Sequence, residues 1–222
     1  MLRNFLVALL LLLSAVSADA AARFWVGGTG TWDASDQTHW SSTTGPGNAP
    51  QTVPGVGDTV TFDANSGGGT VTVNATINVT SITMGAFGGT LDFSANDNNV
   101  TVSTFSGTGT GTRTLNMGDG TWTVTAVTGT VWDNGTTTNE TLNANASTLL
   151  FSAVPTGNRT INLGAKTYNN VTVTNAAMQP FSIDFVNGGA WTIANLTFTN
   201  VQQSRWPNST TLTITGSFVW NG

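Results

Sequence analysis

The residues able to do chemistry are few. Beyond residue 20 the carboxylates are Asp33, Asp36, Asp58, Asp63, Asp92, Asp97, Asp119, Asp133, Asp184 and Glu140, His39 is the single histidine, and cysteine is absent. A glycosidase needs two carboxyl groups facing each other across about 5–9 Å. Asp92 and Asp184 hold corresponding places, each following an apolar residue, Leu91 and Ile183. Such places point outward several coils apart, so isolated charge that discourages strand edges from pairing is the stronger reading. Asp33, Asp36, Asp58 and Asp63 share one stretch of chain, as oxygen ligands of calcium do. Their spacing fits no calcium loop, including the glycine-rich nonapeptide. One histidine cannot build a multi-histidine metal site, and no nucleophile context surrounds His39. The Gly27–Gly30 run lacks the helix and lysine of a phosphate loop. These residues predict no catalytic group, no metal and no cofactor.

Binding chemistry has more candidates. An outward tryptophan stacks on a sugar ring, but Trp122 and Trp191 occupy inward positions of an alternating pattern. Trp132 and Trp206 read as loop residues beside Asp133, Arg205 and Asn208, which makes Trp132, Asp133, Arg205 and Trp206 the candidate ligand-binding set. Thr-x-Thr pairs recur at Thr70/Thr72, Thr121/Thr123/Thr125, Thr172/Thr174, Thr197/Thr199 and Thr211/Thr213/Thr215. Ice-binding solenoids present such pairs in ranks. Here the spacing between pairs is irregular, which favours an ordinary strand face on which threonine has good β propensity.

The elements that must position these groups are short strands. From about Gly69 onward, apolar residues alternate with threonine and are broken by Gly, Asn and Asp, the pattern of half-buried strands. Val71-x-Val73, Leu91-x-Phe93, Leu115-x-Met117, Ile161-x-Leu163 and Ile183-x-Phe185 act as leads. Second members begin at Ile77, Val100, Trp122, Val171, Trp191 and Leu212, with a double gap between Trp122 and Val171. A step of roughly 20–23 residues lies in the range of solenoid coils. Corners fall at Gly88-Gly89, Asp97-Asn98, Gly118-Asp119-Gly120 and Asn187-Gly188-Gly189. The expected fold is all-β: a right-handed parallel β-helix, or β-solenoid, with an N-terminal cap. A β-sandwich is the alternative, because Gly118-Asp119-Gly120 also suits a hairpin.

Arg3, the apolar run Phe5–Leu13 and the small-x-small Ala18-Asp19-Ala20 predict a cleaved export signal over residues 1–20. That run is too short for a permanent span, and no second one follows. Residues 21–65, with Trp25, Trp32 and Trp40, are expected to form the cap, and residues 66–222 the solenoid repeats. The sequence stops on the apolar Phe218-Val219-Trp220. This predicts continuation into a longer chain, or an edge that a partner or second copy covers. Charged residues make up 8% of the chain and the net charge is -5, which leaves no footprint for nucleic acid.

Phe24-Trp25-Val26-Gly27-Gly28-Thr29-Gly30-Thr31-Trp32, then His39-Trp40-Ser41, then Pro54, Asp58, Val60, Phe62 and Asp63, resembles a known leader. It is the leader of large bacterial and phage-encoded surface proteins with β-helical bodies: adhesin-like, autotransporter-passenger-like or tail-fibre-like proteins. The match covers about forty residues, and the remainder resembles those proteins in texture alone. The resemblance implies an elongated extracellular scaffold touching cell-surface or extracellular glycans and proteins, and carries no catalytic residue over. The export signal favours a bacterial secreted or surface protein over a virion component. Taken together, the expected role is a non-catalytic structural or adhesive module. The alternatives are a β-helical polysaccharide lyase or hydrolase and a Thr-x-Thr ice-binding solenoid.

Overall fold

Alternating apolar and hydroxyl residues give a strand one dry and one wet face, and stacking such strands in parallel joins the dry faces into a column. The computed structural model, which describes residues 20–135, 139–186, 189–208 and 211–221, shows this arrangement as a β-solenoid of about 7 turns. All but one of its strand pairings are parallel. The exception joins Ala22–Trp25 to Trp40–Ser41. Gly118-Asp119-Gly120 therefore turns a corner instead of closing a hairpin, and the sandwich alternative falls. Most of the export signal expected over residues 1–20, and Asn187-Gly188 of one expected corner, lie outside the described residues.

Each turn has three faces. The first face carries Thr121–Val124, Thr148–Ala153 and the early part of Val100–Ser106. The second carries Thr59–Thr61, Gly129–Asp133 and Arg159–Asn162. The third carries Thr70–Val73, Thr90–Asp92, Arg113–Asn116 and Glu140–Asn143. Two long strands, Thr167–Phe185 and Ala190–Arg205, run through corners and serve all three faces in turn.

On the first face the register runs Ile77, Val100, Trp122, Leu149, Val171, Leu196, Phe218, in steps of 23, 22, 27, 22, 25 and 22 residues. Leu149 thus fills the double gap seen in the sequence. Trp191 and Leu212, aligned with the first face by their spacing, instead pair with each other on the third. Ile161 and Ile183 sit on the second face, not with Leu91 and Leu115. The alignment slips by one face because every face offers an apolar-x-apolar pair, and the long strands pass their corners without the usual glycine signal.

One corner widens markedly along the stack. Between the first and second faces, Phe105 follows Val102 by three positions, Trp132 follows its partner Val124 by eight, and Ile161 follows Phe151 by ten. The widened corner admits Arg159 into the interior, fully buried, with its Nη2 donating to Asn175 Oδ1 at 2.6 Å. Desolvation lowers its pKa to about 10.

The residues of the leader motif meet at the foot of the stack. Ala22–Trp25 lies beneath the second face and Gly30–Trp32 beneath the third. Trp25, Trp32, Trp40 and Phe62 are buried together, with Trp40 edge-on to Trp25 and Trp32 at 5.1 and 5.0 Å. His39 stacks flat on Trp25 at 4.7 Å. A Cβ at Gly30 would stand 2.7 Å from His39 Nε2, so the motif's glycine makes room for its histidine. Farther up, Phe218 and Trp220 are 54% and 43% exposed, on a strand that pairs with Leu196–Thr199 in the first-face column. No helix among the described residues is long and apolar enough to cross a membrane.

Candidate functional site

The outward side of the first face is a ranked array of hydroxyls. Thr101, Thr123, Leu150, Thr172 and Thr197 follow one another in register. Beside them run Ser103 and Thr125, whose hydroxyls are 3.5 Å apart, and then Ser152, Thr174 and Thr199. Parallel pairing spaces the ranks by about 4.8 Å, and residues two apart on a strand by about 6.7 Å. The pairs are irregular along the chain but regular in space, because the corner loops absorb the differences in length. An amide rank borders them: Asn195 Nδ2 donates to Asn170 Oδ1 at 2.8 Å, and Asn195 Oδ1 accepts from the Ser217 amide at 3.0 Å. Leu150 breaks one of the hydroxyl rows, and Val219 follows Thr197 in the same row.

The four candidate binding residues do not form one site. Trp132, expected in a loop, lies in the strand Gly129–Asp133, is fully buried and stacks on Phe105 at 4.2 Å. A ring packed in the core offers no face to a ligand. Its Nε1 donates to Tyr168 Oη at 3.2 Å. Asp133 accepts from Asn162 Nδ2 at 2.7 Å and the Gly135 amide at 3.1 Å. Arg205 lies on the second face too, but three strands along, roughly 14 Å away at the usual strand spacing. It pairs with Asp184 at 3.0 Å and donates to Ser182 Oγ at 2.6 Å. Trp206 is half-buried and stacks on Phe185 at 4.1 Å.

The carboxylates also hold structural positions. Asp92 sits on the third face and accepts from the amide and hydroxyl of Ser94, at 2.9 and 2.6 Å. Asp184 is on the second face, so the two carboxylates with matching sequence contexts do not face each other. Asp33 closes a turn over Ser35 and Asp36, and these hydrogen bonds hold its pKa below the ordinary value. Asp36 does the same for Thr38 and lies 3.1 Å from His39 Nδ1. Asp58 accepts from the Ala21 and Gly55 amides, and Asp63 caps the short turn Ala64–Ser66. Among the described residues no group of three or more ligands gathers for a metal.

Sequence spacing gave no hint of what surrounds Glu140. This side chain is 4% exposed at the corner between the second and third faces. With its amide nitrogen turned toward Glu140, Asn134 donates to the two carboxylate oxygens at 3.1 and 3.3 Å, and its oxygen accepts from Tyr168 Oη at 2.8 Å. Lys166 Nζ donates to the Glu140 carbonyl oxygen and stands 4.0 Å from its Oε2. Burial pushes the carboxyl up to about 7, against the pull of Lys166 and Arg113. Arg113, 1% exposed, donates to the Gly111 carbonyl at 2.7 Å.

Lys166 closes one end of a gap in the third face. The third-face sheet ends at Glu140–Asn143, whereas the next turn resumes at Thr167, paired upward with Thr192. A slot of about 670 Å³ opens here, lined by Leu142, Asn143, Ala144, Thr167 and Asn169, with Asn116 below and Ala194 above. Asn143 Nδ2 donates to Asn116 Oδ1 at 2.6 Å, and Asn169 Nδ2 to the Asn145 carbonyl at 2.8 Å. The sequence signals are faint: the inward position of Leu91 and Leu115 continues as Leu142, which is only half-buried.

No protein family, curated protein or solved structure matches this chain.

Proposed function

We propose that the chain is a secreted, non-catalytic structural and adhesive module of a bacterial surface protein, binding glycans or proteins through repeated weak contacts. One observation carries this reading: hydroxyl and amide side chains that are scattered in sequence stand in register on a rigid stack. Repetition at a fixed spacing multiplies weak contacts into avidity without a deep pocket. Export rests on Arg3, Phe5–Leu13 and Ala18-Asp19-Ala20. The test immobilises the whole chain on beads and measures capture of bacterial cell-wall polysaccharide and of intact cells. Capture that falls at least tenfold in a Thr123→Tyr/Thr172→Tyr variant supports the reading, and no capture by the wild type refutes it.

The same ranks favour a second reading, binding to ice, since two parallel rows of mainly hydroxyl side chains at near-constant spacing resemble a crystal face more than a flexible polymer. Thermal hysteresis in the wild type, abolished by the same two substitutions, would decide for it. Its absence at millimolar protein excludes it.

A further inference from the structure

Building on the adhesive reading, we propose that the slot between Glu140–Asn143 and Thr167–Asn169 is a binding site for a neutral polysaccharide chain.

Four observations support the assignment. The first is the break itself. Asn139 and Asn143 turn their carbonyls toward the strand below, accepting from the amides of Arg113 and Met117. Alternation along a parallel strand then turns the backbone of Leu142 toward the slot. This strand edge lies in mid-stack, with paired third-face strands below it and the resumed face above.

The second is the chemistry of the lining. The slot's walls carry amides, hydroxyls and small apolar groups, and none of its lining residues is charged. Sugar hydroxyls both donate and accept, as carboxamides do. A phosphate or a uronic acid would find no cation there; the nearest, Lys166, is engaged with Glu140.

The third is preorganisation. The two amide bonds, Asn143 to Asn116 and Asn169 to Asn145, fix the side chains. The Asn143 and Asn169 oxygens and the Asn116 nitrogen remain without a partner among the described residues. Leu142, Ala144 and Ala194 supply apolar surface for the C–H face of a sugar ring.

The fourth is shape. The volume lies within the range of small-ligand sites. The bond from Lys166 to the Glu140 carbonyl occupies one acceptor of the open edge, so a peptide strand cannot pair along its whole length, while an oligosaccharide can lie against the rest.

The test titrates the ¹⁵N-labelled whole chain with hexasaccharides of cellulose, xylan, β-1,3-glucan and amylose, with oligogalacturonate and an unstructured Ser/Thr-rich peptide as contrasts. At least one neutral hexasaccharide is expected to shift the side-chain amide signals of Asn143 and Asn169. Its affinity is expected to fall about tenfold or more in Asn143→Ala/Asn169→Ala, the loss of two hydrogen bonds. The wild-type shifts do not depend on how the variant folds. Shifts confined to other residues, preference for oligogalacturonate or the peptide, or no response to any neutral hexasaccharide at 10 mM would overturn the slot. Bead capture by the wild type with no shift at Asn143 and Asn169 would overturn the slot while leaving the adhesive reading intact.

Discussion

Glu140→Gln isolates one buried ionisation. The carboxyl is held among Asn134, Lys166, Arg113 and Tyr168, and burial raises its pKa from 4.5 to about 7. Each pKa unit corresponds to 1.36 kcal/mol, so ionising the group in the folded state costs about 3 kcal/mol relative to the unfolded chain. The sign follows from proton linkage. Between about pH 4.5 and 7 the folded chain holds a proton that the unfolded chain has released, so the contribution is complete below pH 4.5 and lost as pH rises through 7. Denaturant melts of the wild type from pH 5 to 8.5 should therefore lose about 2.5 kcal/mol, or roughly 5–10 °C in melting temperature for a chain of this size. Glutamine keeps the shape and carries no proton to lose, so the variant should lack this component, and the difference between the two profiles removes every other titrating group. Equal slopes in the two proteins would refute the argument. So would a wild type that gains stability from pH 5 to 8, because Lys166 and Arg113 would then be holding Glu140 ionised.

Trp132→Ala should destabilise by about 3–5 kcal/mol, read from equilibrium unfolding, because the ring is enclosed by Phe105, Trp122 and Tyr168. Arg205→Ala should cost less than about 1 kcal/mol, since its ion pair is open to solvent. Arg159→Met should leave the melting temperature unchanged or higher: among the described residues the buried guanidinium has a single hydrogen bond, and its Nε and Nη1 have none. A large loss would show that the charge itself is needed. Gly164→Ala should destabilise by roughly 1–3 kcal/mol, because φ is +56° and a Cβ would meet the Gly135 carbonyl at 2.1 Å.

The core was legible in the sequence because alternation is a local signal: Val71, Leu91, Leu115 and their neighbours announce both strand and inward face. Face identity was not legible, since Ile161 and Trp191 look the same whichever corner precedes them. Nor was the regularity of the hydroxyl ranks, which exists between turns and is hidden along the chain by unequal corners. Trp132 read as a loop residue because Asp133, Asn134 and Gly135 follow it, yet its burial depends on Phe105 and Tyr168, distant in sequence. Glu140 looked like one more surface carboxylate; its partners Asn134 and Lys166 meet it only once three strands have folded.

The unequal corner between the first and second faces separates two tasks that most folds entangle. The strands set the cross-section and keep their register from turn to turn, while the corner has lengthened from a step of three positions to one of ten. Insertions there alter the silhouette presented to the surroundings and reach the interior at the corner itself, where Arg159 enters. Such a chain can change what it shows to the outside much faster than it changes what holds it up.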